Sequence, residues 1–181
     1  MPLSKQEWLA LEKKAHELRR LCLDTTYWAG SGHIGGGMSV MDMLTVLYHK
    51  YMRLDVKNPK WEDRDRFILS KGHAGIAYAP VLVDFGWNDP EQLKTFNHTN
   101  SNMGIHLDSN KVVGVDASTG SLGHGLPIAV GTALAARVLG KDYKTYCILG
   151  DGECDEGSNW EAAMSASTFK VTNMISFVDR N

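Results

Sequence analysis

The first fifty residues carry apolar side chains every three to four positions, a spacing that predicts two helices. The first helix opens with a capping box, Ser4-Lys5-Gln6-Glu7, and should end at Gly30. Its buried stripe is predicted at Trp8, Leu11, Ala15, Leu18 and Cys22. A second helix, capped by Ser39, should bury one face made of Val40, Met43, Leu44, Leu47 and Tyr51.

The remainder of the chain alternates β-like runs with helical segments. We predict strands at 66–70, 143–149 and 174–178, and helices at 74–85, 125–139 and 158–169. A short helix should start at Asp89-Pro90, Gly140 should end a helix in the left-handed conformation, and Ser158 should cap the last helix. This order predicts an α/β domain of three layers, a parallel sheet with helices on both faces.

Residues 97–119 form a long polar stretch dotted with glycine and histidine. A loop of this length in a compact domain is usually functional or disordered. We therefore expect this segment to be either a functional loop or disordered.

Two of the predicted strands are followed by polar residues suited to holding a metal. Gly150-Asp151-Gly152 ends one strand, and Asn181 follows the next strand, 30 residues after Asp151. A right-handed parallel crossover brings both strand ends to the same edge of the sheet. Neighbouring strands lie roughly 4.8 Å apart, so a carboxylate and an amide oxygen there can share one hard cation such as Mg²⁺. The glycines let backbone N–H groups approach an anion, so this edge suits a diphosphate held through a metal.

Composition narrows the classes of function. The 181 residues carry a net charge of −2 without a basic patch, which argues against partners such as nucleic acid or an anionic membrane. The sequence shows neither a signal-peptide pattern at its start nor an apolar run of about 20 residues. Three cysteines without CxxC spacing, Cys22, Cys147 and Cys154, favour a reduced, cytoplasmic compartment. We expect Cys147 to lie in the core and Cys154 to be more exposed.

The segment Gly30 to Gly35 matches GxGxxG, but a dinucleotide site needs a strand before it and a helix after it. Here a predicted helix precedes the motif, which argues against a nicotinamide site. The segment is then either a flexible connector or a loop that brings His33 close to a ligand.

Four histidines lie in loops or beside glycine: His33, His73, His106 and His124. Imidazoles in such positions can bind sugar hydroxyls, contact phosphates and move protons near neutral pH. A zinc site is the alternative, but these histidines lack the spacing of zinc ligands. His16 and His49 fall in helical patterns and are expected to face solvent or to be satisfied.

The turn Gly120 to Gly125 precedes a predicted helix and is either a simple glycine-rich turn or a platform for a flat heterocycle or an anion. Three acidic residues follow Gly152, namely Glu153, Asp155 and Glu156. They are either ordinary charge at a helix N-terminus or, for at least one, part of a proton-sharing network.

Together these segments resemble the N-terminal, diphosphate-binding half of the transketolase family, in the family's order and over nearly the whole chain. The matching segments are Ser31-Gly32-His33, Arg64 to His73, Gly104-Ile105-His106, Ser118 to Gly125, and Gly150-Asp151-Gly152 with Asn181. The segment Ser-Thr-Gly-Ser-Leu-Gly-His-Gly is most similar to the N-terminal subunit of the split bacterial type, in which two polypeptides supply the two halves.

The resemblance implies a thiamine-diphosphate-binding fold, with thiamine diphosphate and Mg²⁺ or Ca²⁺ as cofactors. Asp151 and Asn181 would be the side-chain metal ligands. Gly150 and Gly152 would bind the diphosphate through the backbone, and His73 would contact the diphosphate and the reaction centre.

The resemblance also implies residues for the remainder of the cofactor and for the substrate. The turn near the aminopyrimidine would be lined by Gly120, Ser121 and Leu122. His33 and His106 would face substrate hydroxyls and assist proton transfer. Glu156 matches a family glutamate on a hydrogen-bonded path between paired active sites.

Two parts of the family's site have no counterpart in these residues: a backbone metal ligand two residues past the asparagine, and the glutamate that activates the aminopyrimidine. We therefore expect a single domain over 1–181 that is incomplete at its C-terminus and inactive alone. It should need a pyrimidine-binding transketolase half or subunit in a homo- or hetero-oligomer. The whole enzyme would transfer a two-carbon ketol unit between sugar phosphates, as in the pentose phosphate pathway. The alternatives are another thiamine enzyme, such as a sugar-phosphate synthase or phosphoketolase, and a non-catalytic metal-binding or interaction fragment.

Overall fold

A computed structural model describes residues 3–181. Its α-helices are α1 (Lys5–Ala29), α2 (Ile34–Val46), α3 (Gly75–Asp84), α4 (Gly125–Val138) and α5 (Gly157–Thr168). Its strands are β1 (Arg66–Leu69), β2 (Thr145–Gly150) and β3 (Met174–Asp179). Short helical turns cover Leu47–Tyr51, Gly72–Ala74, Pro90–Thr95 and Gly152–Asp155. No helix in the described range is long and apolar enough to cross a membrane.

Helix α1 begins and ends where its sequence predicts. The N–H of Glu7 donates to Ser4 Oγ (3.2 Å), and the N–H of Ser4 donates to a Glu7 carboxylate oxygen (2.9 Å), which completes the capping box. Gly30 ends the helix with a left-handed φ of 65°. The predicted stripe is buried from Ala15 onward, but Trp8 is 52% exposed, so the prediction is wrong for the first turns.

Helix α2 begins six residues earlier than predicted, at Ile34, so the prediction that Ser39 caps it is wrong. Ser39 lies inside the helix, where its hydroxyl donates to a carboxylate oxygen of Asp179 at 2.6 Å. Glycine disfavours helices, yet a Cβ at Gly37 would come within 2.9 Å of Ile76, so the glycine allows α2 and α3 to pack closely. Tyr51, predicted to be buried, is 50% exposed.

The three strands form a parallel sheet in the order β1-β2-β3. Alternate side chains of each strand point to opposite faces. Phe67, Leu69 and Ile148 join the core cluster that includes side chains of α1, α2 and α3. Ile68 and Leu149 join the second cluster, which includes side chains of α4 and α5. The predicted three-layer α/β arrangement is therefore confirmed.

The second half of the chain follows the predicted order with one wrong cap. Gly140 has the predicted left-handed φ of 65°, and Asp89 accepts from the N–H of Glu91 at the start of the short helix (2.9 Å). Helix α5, however, begins at Gly157, and the hydroxyl of Ser158 donates to the carbonyl of Gly123 (2.7 Å) instead of capping its own helix. The hydrogen bond of Ser158 to a distant residue thus replaces the predicted helix cap.

Candidate functional site

The C-terminal ends of β2 and β3 meet at one edge of the sheet. Gly150 pairs with Asp179, and the N–H of Asp151 donates to the carbonyl of Asp179 at 3.1 Å. Asn181 follows two residues later, so the parallel register brings the predicted metal-binding residues to the same edge. Asp151, Gly152 and Asn181 are all exposed there, and a Cβ at Gly152 would meet no atom within 4 Å.

The chemistry of this edge fits a hard cation. Asp151 offers carboxylate oxygens and Asn181 an amide oxygen, which are ligands that Mg²⁺ and Ca²⁺ prefer. In residues 3–181, no three or more His, Cys, Asp or Glu side chains cluster in a way that could hold a metal ion. Two side chains alone leave most of a six-oxygen shell open, so a cation here needs oxygens from a ligand such as a diphosphate.

Glu153 turns away from solvent, although it directly follows the exposed Gly152. It is only 2% exposed, and its carboxylate accepts from Ser70 Oγ (2.5 Å) and from the N–H groups of Gly123 (2.9 Å) and Gly150 (3.1 Å). One buried carboxylate thus joins the ends of β1 and β2 to the glycine-rich turn before α4. The sequence places Glu153 only among acidic residues near a helix start, so this role was missed.

Three of the four predicted histidines come together beside this edge. The rings of His33 and His73 meet edge to face, with centroids 5.3 Å apart. His33 directly precedes α2, and His73 lies in the short helix after β1. Burial lowers the pKa of His73, and the positive charge of Lys71, with smaller effects from His33 and His106, lowers it further. The lowered pKa favours the neutral imidazole of His73, which has one N–H donor and one nitrogen acceptor.

His106 is brought to the site by the long loop. Residues 97–119 contain no helix or strand, as predicted, but the buried side chains of Met103 and Leu107 anchor them. Gly120 has a φ of 149°, and a Cβ there would lie 2.6 Å from the His106 ring. The close contact requires glycine at position 120 and places His106 directly against the glycine-rich turn.

The same turn contacts Glu156. A Cβ at Gly123, which has a φ of 84°, would lie 2.6 Å from Cβ of Glu156. Ser121 and Glu156 are exposed, and Leu122 is half-buried. His124 is separate from the histidine group: it precedes α4, and its Nδ1 lies 3.2 Å from the carbonyl oxygen of Leu122 in its own turn.

Two buried charges at the site, Glu153 and Lys71, have no signal in the sequence. Lys71 is 0% exposed, and its ammonium donates to a carboxylate oxygen of Asp179 at 2.6 Å. Lys71 is paired with Asp179, 108 residues away, and Glu153 accepts from Ser70, 83 residues away, so no local pattern could reveal these contacts.

The cysteines lie where predicted. Cys147 is buried in β2 and Cys154 is half-buried, and both are free thiols. Burial raises the pKa of both thiols, and nearby carboxylates raise that of Cys154 further. Both are thus kept as thiols at neutral pH.

This is an α/β domain of the class that binds ligands at the carboxyl ends of its parallel strands, where the glycine-rich turns and the candidate oxygen ligands lie. Comparison with known families makes the class specific. The family model described as transketolase, thiamine diphosphate binding domain, matches residues 11–181. The chain therefore belongs to the transketolase family, as the N-terminal, thiamine-diphosphate-binding domain.

Individual relatives agree with this membership. The 6-deoxy-6-sulfo-D-fructose transketolase subunit SqwG of Clostridium sp. (strain MSTE9) is 41% identical over 176 residues, which cover 97% of this chain and 64% of that subunit. An apulose-4-phosphate transketolase subunit of Actinobacillus succinogenes is 42% identical over 173 residues, which cover 94% and 62%. The chain thus spans less than two thirds of the length of either relative.

A solved structure agrees as well. The transketolase from Leishmania mexicana superposes with a TM-score of 0.90 at 32% identity, over 93% of this chain and 27% of that one. At this level of identity and superposition, the shared fold extends over nearly all of the chain.

Proposed function

We propose that this chain binds thiamine diphosphate through a divalent cation, Mg²⁺ or Ca²⁺, and supplies the diphosphate-binding half of a transketolase. The observation that supports this most is the register of β2 and β3, which brings Asp151 and Asn181 to one edge. In this proposal these two side chains hold the cation. The exposed backbone at Gly152, next to Gly150, receives the diphosphate.

The remaining site residues bind either the cofactor or the substrate. His73, whose lowered pKa favours the neutral imidazole, donates one hydrogen bond toward the diphosphate. The cofactor's aminopyrimidine end is bordered by the glycine-rich turn, at Gly120, Ser121 and Leu122. His33 and His106 are exposed and bind hydroxyls of a sugar phosphate.

Bound thiamine diphosphate supplies the nucleophilic carbon and the electron sink for two-carbon transfer from a ketose phosphate to an aldose phosphate. The chain's own residues orient that cofactor and handle protons: His33, His73 and His106 each present an imidazole at the site. Glu156, exposed against the turn at Gly123, connects this site to a second one across an oligomer interface.

A partner half is part of the proposal. The named relatives are transketolase subunits, and this chain covers 62–64% of their length. We propose that a pyrimidine-binding half, in the same or another polypeptide, completes the cofactor site and contributes the activating glutamate. The chain alone should then be inactive.

The first experiment mixes the chain with a candidate pyrimidine-binding half, thiamine diphosphate and Mg²⁺, and measures two-carbon transfer. Calorimetry measures cofactor binding in parallel. Asp151→Ala should weaken binding by more than roughly 100-fold, beyond the range seen for outer-shell partners of metal ligands. Asp155→Ala, at an exposed neighbouring carboxylate, is the matched control and should bind normally.

Unchanged cofactor affinity in Asp151→Ala would overturn the ligand role. Lack of binding by the parent protein would instead favour a non-catalytic interaction module. Product analysis then separates a transketolase from a sugar-phosphate synthase or phosphoketolase, since their acceptors differ. The same assay should be run with several donor sugars, because the two relatives are named for different sugars.

A further inference from the structure

The side chain of Lys71 connects two strands that are not neighbours. Lys71 lies two residues past the end of β1, and its partner Asp179 is the last residue of β3. Strand β2 separates them in the sheet. The lysine side chain therefore passes the end of β2, where its Cβ lies 3.9 Å from the position that a Cβ on Gly150 would take.

The connection is buried and has further hydrogen bonds. The Lys71 side chain is 0% exposed and that of Asp179 is 7% exposed. The ammonium also donates to the carbonyl of Gly36 in α2 (3.1 Å), and the hydroxyl of Ser39 donates to the same Asp179 oxygen as Lys71 does (2.6 Å). Three elements, α2, the end of β1 and the end of β3, thus meet at one ion pair.

Each residue of this pair lies two residues before a residue of the proposed site. His73, proposed to contact the diphosphate, lies two residues after Lys71. Asn181, proposed to bind the cation, lies two residues after Asp179. The link between Lys71 and Asp179 therefore joins the two segments that carry the proposed ligand-contacting residues, which follow strands that are not neighbours.

We infer that Lys71 and Asp179 are positioning residues: their ion pair sets the separation of His73 and Asn181, and thereby the geometry in which the edge holds cation and diphosphate together. The inference rests on the proposed function. A buried ion pair often contributes little net stability compared with apolar residues, and in some proteins such a pair is kept because it specifies one arrangement. Here that arrangement is the position of the end of β3, a strand whose other five residues are exposed or half-buried.

The test uses the assembled protein, this chain with its pyrimidine-binding half. Removing Lys71 alone would leave a buried carboxylate without its cation, which is strongly destabilising. The informative variant is therefore Lys71→Met with Asp179→Asn, which removes both charges and leaves Ser39 an oxygen acceptor. The matched control is Lys14→Met with Asp84→Asn, an ion pair of 3.0 Å between α1 and α3.

Calorimetric titration of thiamine diphosphate at several Mg²⁺ concentrations gives the readout, with thermal unfolding of the cofactor-free proteins measured in parallel. We expect the Lys71/Asp179 double variant to need roughly 10- to 100-fold more Mg²⁺ for half-saturation, the range known for outer-shell partners. The control should bind like the parent. A purely structural role would shift the unfolding temperature without moving the Mg²⁺ requirement.

A folded double variant with the parent's Mg²⁺ requirement would overturn the inference. If the double variant does not fold, Asp179→Glu decides, because it keeps both charges and only lengthens the link: a several-fold higher Mg²⁺ requirement supports the inference, and an unchanged one overturns it. Failure of the proposed function is distinct, because then the parent protein itself does not bind thiamine diphosphate.

Discussion

Strands β2 and β3 are neighbours in one sheet, yet they are held in different ways. All six residues of β2 are buried, whereas in β3 only Asp179 is. Apolar packing on both faces fixes β2. The end of β3 depends on polar contacts, from Lys71 and Ser39 to Asp179.

The proposed metal-binding residues that follow these two strands are therefore positioned by different kinds of contact. Within residues 3–181, Asp151 follows a strand with buried side chains, while Asn181 follows a strand whose side chains are mostly exposed or half-buried. If both hold one cation, the buried ion pair of Lys71 and Asp179 holds the end of β3 in place.

The same substitution should destabilise the protein more in β2 than in β3. Ile148 in β2 is 0% exposed and Ile175 in β3 is 38% exposed. Ile148→Ala should cost about 2–5 kcal/mol of unfolding free energy because it leaves a cavity in the core. Ile175→Ala should cost about 1 kcal/mol or less, because its side chain already contacts water. Urea unfolding of the 181-residue chain measures both, and equal losses would contradict the contrast.

The end of β2 should depend on Glu153. Glu153→Gln keeps the size of the side chain but replaces one acceptor oxygen with an N–H₂ group. Gly123, Gly150 and Ser70 together need both oxygens as acceptors. We expect a loss of about 1–3 kcal/mol, the cost of a buried donor without a partner. Urea unfolding measures it, with the exposed neighbour Asp155→Asn as control. A variant as stable as its parent would show that this junction is not needed.

The contact between Gly120 and His106 should matter more for binding than for folding. Gly120→Ala places a methyl group where the His106 ring lies, at a φ that L-residues rarely adopt. We expect weaker thiamine diphosphate binding and a stability loss of about 1–3 kcal/mol from backbone strain. Gly131→Ala, in α4 with open space around the Cβ, is the control and should be neutral or stabilising. Normal binding by Gly120→Ala would contradict the proposed position of the turn.

The smallest effect concerns pH. The pKa of His73 in the folded protein lies below its ordinary 6.5, chiefly because of burial. Between these two pKa values the unfolded state binds more protons, so stability rises with pH. His73 thus contributes stability that is present above about pH 6.5 and is lost as pH falls through the lowered pKa. His73→Asn should flatten this part of the stability profile in urea unfolding from about pH 5 to 8. His49, whose pKa is also lowered, is present in both proteins and cancels.

Local patterns predicted the elements well because their signals lie within a few residues. The capping box at Ser4, the left-handed Gly30 and the run of apolar residues in β2 are all short-range. The caps predicted at Ser39 and Ser158 were wrong because both hydroxyls bond to distant residues instead. A distant partner can outcompete a local one, and sequence alone does not identify it.

The site likewise has residues that the sequence predicts and residues that it does not. The meeting of Asp151 and Asn181 at one edge follows from strand order and handedness, which the sequence supplies. The roles of Glu153 and Lys71 depend on partners 83 and 108 residues away, so they became visible only in the folded chain. Their burial, unusual for charged residues, is the signal that marks them.

In the proposed site, Asp151 and Asn181 share one divalent cation. A crystal structure of the assembled protein with thiamine diphosphate and Mn²⁺, a substitute for Mg²⁺ located by its anomalous scattering, tests it directly. We predict a single Mn²⁺ peak within about 2.0–2.3 Å of a carboxylate oxygen of Asp151 and the amide oxygen of Asn181, with diphosphate oxygens completing the shell. A manganese ion bound elsewhere, or one that contacts neither side chain, would contradict the account.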